Sequence, residues 1–211
     1  MDNRAVIYLS DKRLCEQSPV FRCYQTPIEA HPFLRFEDNT LAAQQSVESQ
    51  FESSRTVVFL PLMGAVEVNE QLVEAGQILY LLAQKNETVI VQNPYESGLI
   101  NYLEIHIEPN YKPTEKVVIT DFDLSQKNRL HNIENRTKVG FCIGKYDGRK
   151  DGILKLEKPS DVFVFIINGA FEVQNRLLEA RDGLLLNNVS EIDFEALSEE
   201  AILLFCTWPQ S

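Results

Sequence analysis

VVFLPLMGAVEVNEQLVEAGQILYL, from Val57 to Leu81, aligns without a gap on VFVFIINGAFEVQNRLLEARDGLLL, from Val162 to Leu186. The offset, 162 against 57, is 105 residues, half of a 211-residue chain. Seven pairs are identical over Gly64–Ala75: Gly64/Gly169, Ala65/Ala170, Glu67/Glu172, Val68/Val173, Leu72/Leu177, Glu74/Glu179 and Ala75/Ala180. Two unrelated β-hairpins would share alternating apolar positions, but not the same glycine and the same glutamates at the same spacing. The chain is read as a tandem duplication.

Each copy makes local sense as a β-hairpin. A buried strand ends at a glycine able to take a positive φ, a short alternating strand follows, and a turn at 69–71 or 174–176 reverses the chain. A second turn follows at Ala75-Gly76 or at Arg181-Asp182-Gly183. Working outward, short runs rich in Val, Ile, Leu and Phe recur between turn residues about every ten positions, the pattern of an all-β sandwich or barrel. Strands are expected at 5–9, 56–62, 65–68, 78–82, 88–92, 99–107, 139–144, 162–167, 170–173, 183–186 and 201–206, with a turn of helix only within 121–129 or 192–199. Repeated hairpins of this kind close into jelly rolls, which removes exposed edges. The polar stretch EPNYKPTE, residues 108–115, carries two prolines and no apolar periodicity, so it is the expected boundary.

Composition narrows the function classes. With 44% apolar and 24% charged residues, the chain can bury two small cores. Its net charge of −11 repels phosphate backbones and anionic lipid, which argues against nucleic-acid or membrane partners. The segment MDNRAVIYLSDKR has no signal-like apolar core, and no apolar run approaches a membrane span of ~18 residues. A soluble, cytoplasmic protein is expected. Cys15, Cys23, Cys142 and Cys206 are scattered without a CxxC pair, which reads as packed thiols rather than disulfides or structural zinc.

Three further segments resemble one known family, the pirin-like bicupins, which include metal-dependent quercetin 2,3-dioxygenases. NYLEIHIEPNYKP, residues 101–113, is similar to the family's closing strand of the first cupin. YDGRKDGILKL, residues 146–156, resembles the Asp-Gly-Arg-Asp-Gly turn that opens the second, and the repeat at 162–183 with AILLFCTWP at 201–209 resembles the C-terminal barrel. The resemblance implies two tandem cupin barrels, 1–112 and 113–211. It also implies a divalent metal, commonly iron, held in the N-terminal barrel by three histidines and a glutamate. Counted without gaps from Gly64 and from Asn93-Pro94, those places fall on Gln50, Glu52, Val89 and Val91. Valine donates nothing, and Gln and Glu alone do not hold iron or copper against water. No metal and no cofactor are therefore expected.

The remaining candidates are few. His31, ahead of a proline, and His131, in a polar connector, read as structural or solvated. Tyr102, Glu104, His106 and Glu108 alternate on one strand face against Leu103, Ile105 and Ile107 on the other. The simple expectation is a solvent-facing polar stripe. The sharper one is a pair of pocket residues, Glu104 and His106, completing a relocated metal site or acid/base pair with Glu52. Phe51, Phe59, Tyr80 and Tyr95 read as core, or as lining of an apolar pocket. Residues 127–158 hold nine of the twenty Lys and Arg, read as solvated turns or as a surface for an acidic partner. GxSxG, GxGxxG and Walker patterns do not occur. The expectation is a non-catalytic pirin-like protein binding a small apolar molecule in its N-terminal barrel, or a protein partner. The alternatives are a quercetinase-like oxidoreductase with an atypical ligand set and a purely structural barrel without a ligand.

Overall fold

A computed structural model describes residues 5–109, 115–134 and 137–209. Its strands are β1 (Ala5–Tyr8), β2 (Leu14–Gln17), β3 (Phe21–Gln25), β4 (Phe33–Leu41), β5 (Ser46–Gln50), β6 (Arg55–Met63), β7 (Val66–Val68), β8 (Gln71–Val73), β9 (Gln77–Ala83), β10 (Thr88–Gln92), β11 (Ile100–Ile107), β12 (Val117–Asp121), β13 (Arg129–Ile133), β14 (Gly140–Tyr146), β15 (Asp151–Asn168), β16 (Phe171–Val173), β17 (Arg176–Leu178), β18 (Gly183–Ala196) and β19 (Ala201–Pro209). A 3-10 turn at Ser10–Lys12 is the helical element among the described residues. The segments considered for helix are not helical: Ile192–Ala196 continues β18, because its alternating burial suits a strand crossing a core.

The chain forms two compact units, one of residues 13–122 and one of residues 1–12 with 123–211. In the first, a seven-stranded antiparallel sheet in the order β12-β9-β6-β11-β4-β3-β2 belongs with a four-stranded sheet, β5-β10-β7-β8. The second repeats the layout as β1-β18-β15-β19-β14-β13, strand for strand with the first six of the larger sheet. Its smaller layer is made by the far halves of β15 and β18 together with β16 and β17, as the two long strands bend through register shifts between Lys155 and Val162. Both units are cupin-type jelly rolls, as expected.

The division does not follow the expected 1–112 and 113–211. Strand β12 pairs with β9, Val117 opposite Leu81, while β1 pairs with β18, Ala5 opposite Leu186. Leu81 and Leu186 are equivalent in the repeat, so each unit takes its edge strand from the sequence that precedes the other unit. Both edge strands are short and mainly apolar, VVITD and AVIY, and each covers a strand that would otherwise expose unpaired backbone. Of the expected boundary stretch 108–115, residues 110–114 lie outside the described residues.

The duplicated turns have matching geometry. Asn69 and Glu70 take positive φ (45° and 67°), as do Gln174 and Asn175 (48° and 58°), which gives two-residue hairpins whose twist suits the flanking strands. Gly64 and Gly169 both sit at φ 76°. The following turn is closed alike: the Glu74 N–H donates to Gln77 Oε1 and the Glu179 N–H to Asp182 Oδ2, each at 2.9 Å.

Candidate functional site

The interior of the first unit is lined from two sides. One wall is the four-stranded sheet, where Val89 and Val91 of β10 are 1% and 2% exposed and pack with Val66, Val68, Phe59 and Phe51. Strand β5 pairs with β10 so that Ser49 faces Val89 and Val47 faces Val91. Alternation places Val47, Ser49 and then Phe51 inward, while Gln50 and Glu52 are exposed. The two matched positions on this segment, Gln50 and Glu52, therefore do not face the interior. Gln50 instead donates to the Asn86 carbonyl oxygen at 3.0 Å. Of the four matched positions only Val89 and Val91 lie inside, and neither carries a donor atom. The residues at these four positions do not fit the metal that the resemblance implies.

The facing wall is polar. Tyr102, Glu104 and His106 of β11 lie opposite Asn39, Glu37 and Arg35 of β4. The expected solvent-facing stripe is thus corrected: Glu104 is 5% and His106 1% exposed. The apolar face, Leu103, Ile105 and Ile107, is also buried, so both faces of this strand are covered and alternation alone did not tell inside from outside. Glu37 and Asn39 were missed for the same reason. The signal that would have found them is the polar alternation Arg35, Glu37, Asn39, matching that of β11 in period and register.

These groups form a connected network. His106 Nε2 and Glu104 Oε1 are 2.8 Å apart, and Arg55 Nη1 lies 3.4 Å from His106 Nδ1. A carboxylate accepts and a guanidinium only donates, so a neutral imidazole protonated on Nε2 satisfies both neighbours. Asn39 Nδ2 donates to Glu104 Oε2 at 3.2 Å, and Arg35 pairs with Glu37 at 3.2 Å. Phe51 meets the His106 ring edge to face, and Arg55 covers Phe51 at 4.7 Å. Glu52, exposed, takes no part inside. Ligand atoms of Glu37, Glu104 and His106 lie within 4.8 Å of one another, the one such trio among the described residues. In the hydrogen-bonded arrangement the Nε2 lone pair is occupied by its proton. The Tyr102 hydroxyl and Asn39 Oδ1 are buried without a hydrogen-bond partner among the described residues.

Electrostatics follow from burial. Desolvation, then the Glu104 charge, raises the Glu37 carboxyl above its ordinary value. The Cys23 thiol is pushed up to about 12 by burial and by Glu37 and Glu104, which makes it inert as a nucleophile. Burial, followed by Arg35, lowers the Arg55 guanidinium.

The equivalent wall of the second unit has no such network. Through the matching registers Glu104 corresponds to Phe205, Tyr102 to Leu203, Glu37 to Cys142 and Asn39 to Gly144. Val89 and Val91 correspond to Ile192 and Phe194, and the Phe194 ring occupies the space a side chain at Gly152 would need. That interior is lined by an apolar cluster that includes Val164, Phe171, Val173, Ile192, Phe194 and Phe205.

An open pocket of about 360 Å³ enters the first unit, lined by Val68, Asn69, Gln71, Leu79, Leu81, Lys116 and Val117. Of the aromatics, Phe51, Phe59 and Tyr80 are core, whereas Tyr95 is exposed and its hydroxyl accepts from the Ala65 N–H at 3.0 Å. His31 pairs with Glu108 at the surface, and His131 lies beside Arg129 in the β13 region. The basic excess of 127–158 is answered from β18 and the turn that follows it: Lys127 and Lys145 reach Glu200, Arg149 reaches Glu195 and Lys155 reaches Glu191. This leaves less charge for an acidic partner than the sequence suggests. The cysteines are unpaired, and no helix among the described residues is long and apolar enough to cross a membrane.

Residues 124–205 match the family described as Quercetinase C-terminal cupin domain. Among solved structures, YhhW from Escherichia coli is similar over 98% of this chain and 99% of its own, with a TM-score of 0.82 at 14% identity. The same bacterial pirin in complex with nickel(II) gives 0.81 at 14% identity, over 98% and 100%. Quercetin 2,3-dioxygenase from Acinetobacter baumannii gives 0.73 at 12% identity, over 97% and 86%. No curated protein matches by sequence. At these identities the structural likeness is one of fold.

Proposed function

We propose, from the premise that this chain is a pirin-like bicupin, that it is a non-catalytic binding protein whose N-terminal cupin takes a small apolar molecule without the family's metal. The observation that carries this reading is the packing of Val89 and Val91 in the apolar core at the place where the resemblance puts a histidine and a carboxylate. A Lewis-acid dioxygenation needs a metal to bind the substrate's oxygens and a base to take its hydroxyl proton. Neither valine offers either function. A pocket of about 360 Å³ beside this core, edged by Asn69, Gln71, Lys116 and Val117, supports a ligand role. A cytoplasmic setting, where thiols remain reduced, suits the unpaired cysteines.

The test is metal analysis of protein purified without chelator, with quercetin turnover assayed after adding iron or copper. We expect substoichiometric metal and no turnover above a metal-salt control. A second reading, a quercetinase-like oxidoreductase with an atypical ligand set, draws on the Glu37, Glu104 and His106 trio. About one metal per chain, lost in His106→Gln together with quercetin turnover, would establish that reading and overturn ours.

A further inference from the structure

Within the basic excess of residues 127–158, two lysines stay unanswered and stand at one pocket. Lys127, Lys145, Arg149 and Lys155 reach carboxylates, whereas Lys138 and Lys158 have no ion-pair or hydrogen-bond partner among the described residues. Both line an open pocket of about 400 Å³ in the second unit, together with Leu156, Glu157, Thr207 and Pro209. Lys138, Glu157, Lys158 and Pro209 are exposed, and Leu156 and Thr207 are half-buried, so these walls present surface to an occupant. Glu157, the acid of this lining, forms an ion pair with neither lysine.

Each lysine stands on a segment fixed by a neighbouring hydroxyl. Beside Lys138, Thr137 Oγ1 accepts from the Val139 N–H at 3.0 Å and donates to the Val139 carbonyl at 2.8 Å. Lys158 lies where β15 bulges, its register with β18 shifting between Lys155 and Ser160, and Ser160 Oγ donates to the Lys158 carbonyl at 3.0 Å. Bulges of this kind re-aim side chains and are fixed features of a sheet. Two ammonium groups supply point charges rather than a planar fork, which suits a compact, doubly charged head such as a phosphate. Leu156 and Pro209 add a small apolar surface beside them. The patch is small against the roughly 800 Å² that a stable protein interface covers on each partner, while the volume is that of a small-molecule site.

We infer that this pocket of the second unit is a binding site for a small organic dianion, its charged head at Lys138 and Lys158 and its short apolar body on Leu156 and Pro209. The site is separate from the N-terminal one and stands or falls without it. Trp208, the single tryptophan of the chain, is part of the same lining, so its fluorescence reads this pocket alone. The full chain is titrated at low salt and pH 8 with butyl phosphate, inorganic phosphate and butan-1-ol, following Trp208 fluorescence with calorimetry in parallel. Butyl phosphate binds at least about tenfold more tightly than butan-1-ol and more tightly than inorganic phosphate, and added NaCl weakens it. Lys138→Gln and Lys158→Gln each weaken butyl phosphate, the double variant loses the preference over butan-1-ol, and Glu157→Gln strengthens it. All four substitutions are at the surface, and an unchanged Tm verifies that each variant is folded. Equal affinity for butyl phosphate and butan-1-ol, butyl phosphate binding that ignores both lysine variants, or no saturable signal by either method at millimolar concentration overturns the site. Tighter binding of an acidic hexapeptide than of butyl phosphate, lost in the same variants, overturns the small-ligand assignment in favour of a protein partner.

Discussion

At the scale of single residues, the two interior walls are tested by opposite substitutions. Val47, Ser49, Val89 and Val91 form two directly paired positions on one sheet face. Val47→His, Ser49→His, Val89→His and Val91→Glu together are expected to create a site for nickel or iron, whereas histidines at the exposed Gln50 and Glu52 with the same β10 changes are not. Each new polar group buried without metal costs on the order of 1–3 kcal/mol. The folded quadruple variant should therefore gain stability on adding metal, read as a shift in Tm, and the control variant should not. On the facing wall, burial and the Glu104 charge raise the Glu37 carboxyl from its ordinary value of 4.5. The folded state then holds a proton that the unfolded chain has released, so stability falls as pH climbs from the ordinary carboxylate range through the raised value. Glu37→Gln cannot titrate. Urea unfolding between about pH 5 and pH 8 should show a flatter profile for the variant, the difference widening in its favour as pH rises. A profile identical to the parent would mean that Glu37 titrates as an exposed glutamate does.

At the scale of elements, the duplicated hairpin puts Gly64 and Gly169 at the same φ of 76° but in different surroundings. A side-chain carbon at Gly64 would lie 3.0 Å from Ile100 Cγ2, the end of a side chain able to shift. At Gly169 it would lie 2.3 Å from Ser198 Oγ and 2.8 Å from Ala201 Cβ. That serine is held in place, since its oxygen accepts the Ala170 N–H at 3.0 Å. Both alanine variants carry the left-handed penalty of about 1–2 kcal/mol, and Gly169→Ala adds overpacking of about 1–3 kcal/mol. Denaturant midpoints should rank the parent above Gly64→Ala and Gly64→Ala above Gly169→Ala. The repeat made the shared turn legible from sequence, but the differing neighbours belong to segments far along the chain and carry no local signal.

At the scale of the whole molecule, the reciprocal edge strands make each unit depend on residues remote in sequence. Removing residues 1–9 takes away the partner of Gly183–Leu186. The amides of that stretch whose hydrogen bonds point to β1 should lose hydrogen-exchange protection, while those of β9, still covered by β12, keep theirs. Equal protection in the truncated chain would show that β1 contributes nothing to the edge. A division at residue 112 would have assigned both edge strands to the wrong unit, because strand exchange leaves no trace in composition or periodicity.

The sequence by itself determined the all-β class, the duplication, its turn geometry and the absence of donor atoms at Val89 and Val91, because these depend on residue type, spacing and local backbone preference. Tertiary structure alone decided which face of β5 looks inward, that Glu104 and His106 are buried beside Glu37, and which strand completes each sheet. The physical reason is common to the three. A strand covered on both faces gives no hydrophobic alternation to read, and strand pairing joins residues whose separation along the chain is unconstrained by anything local.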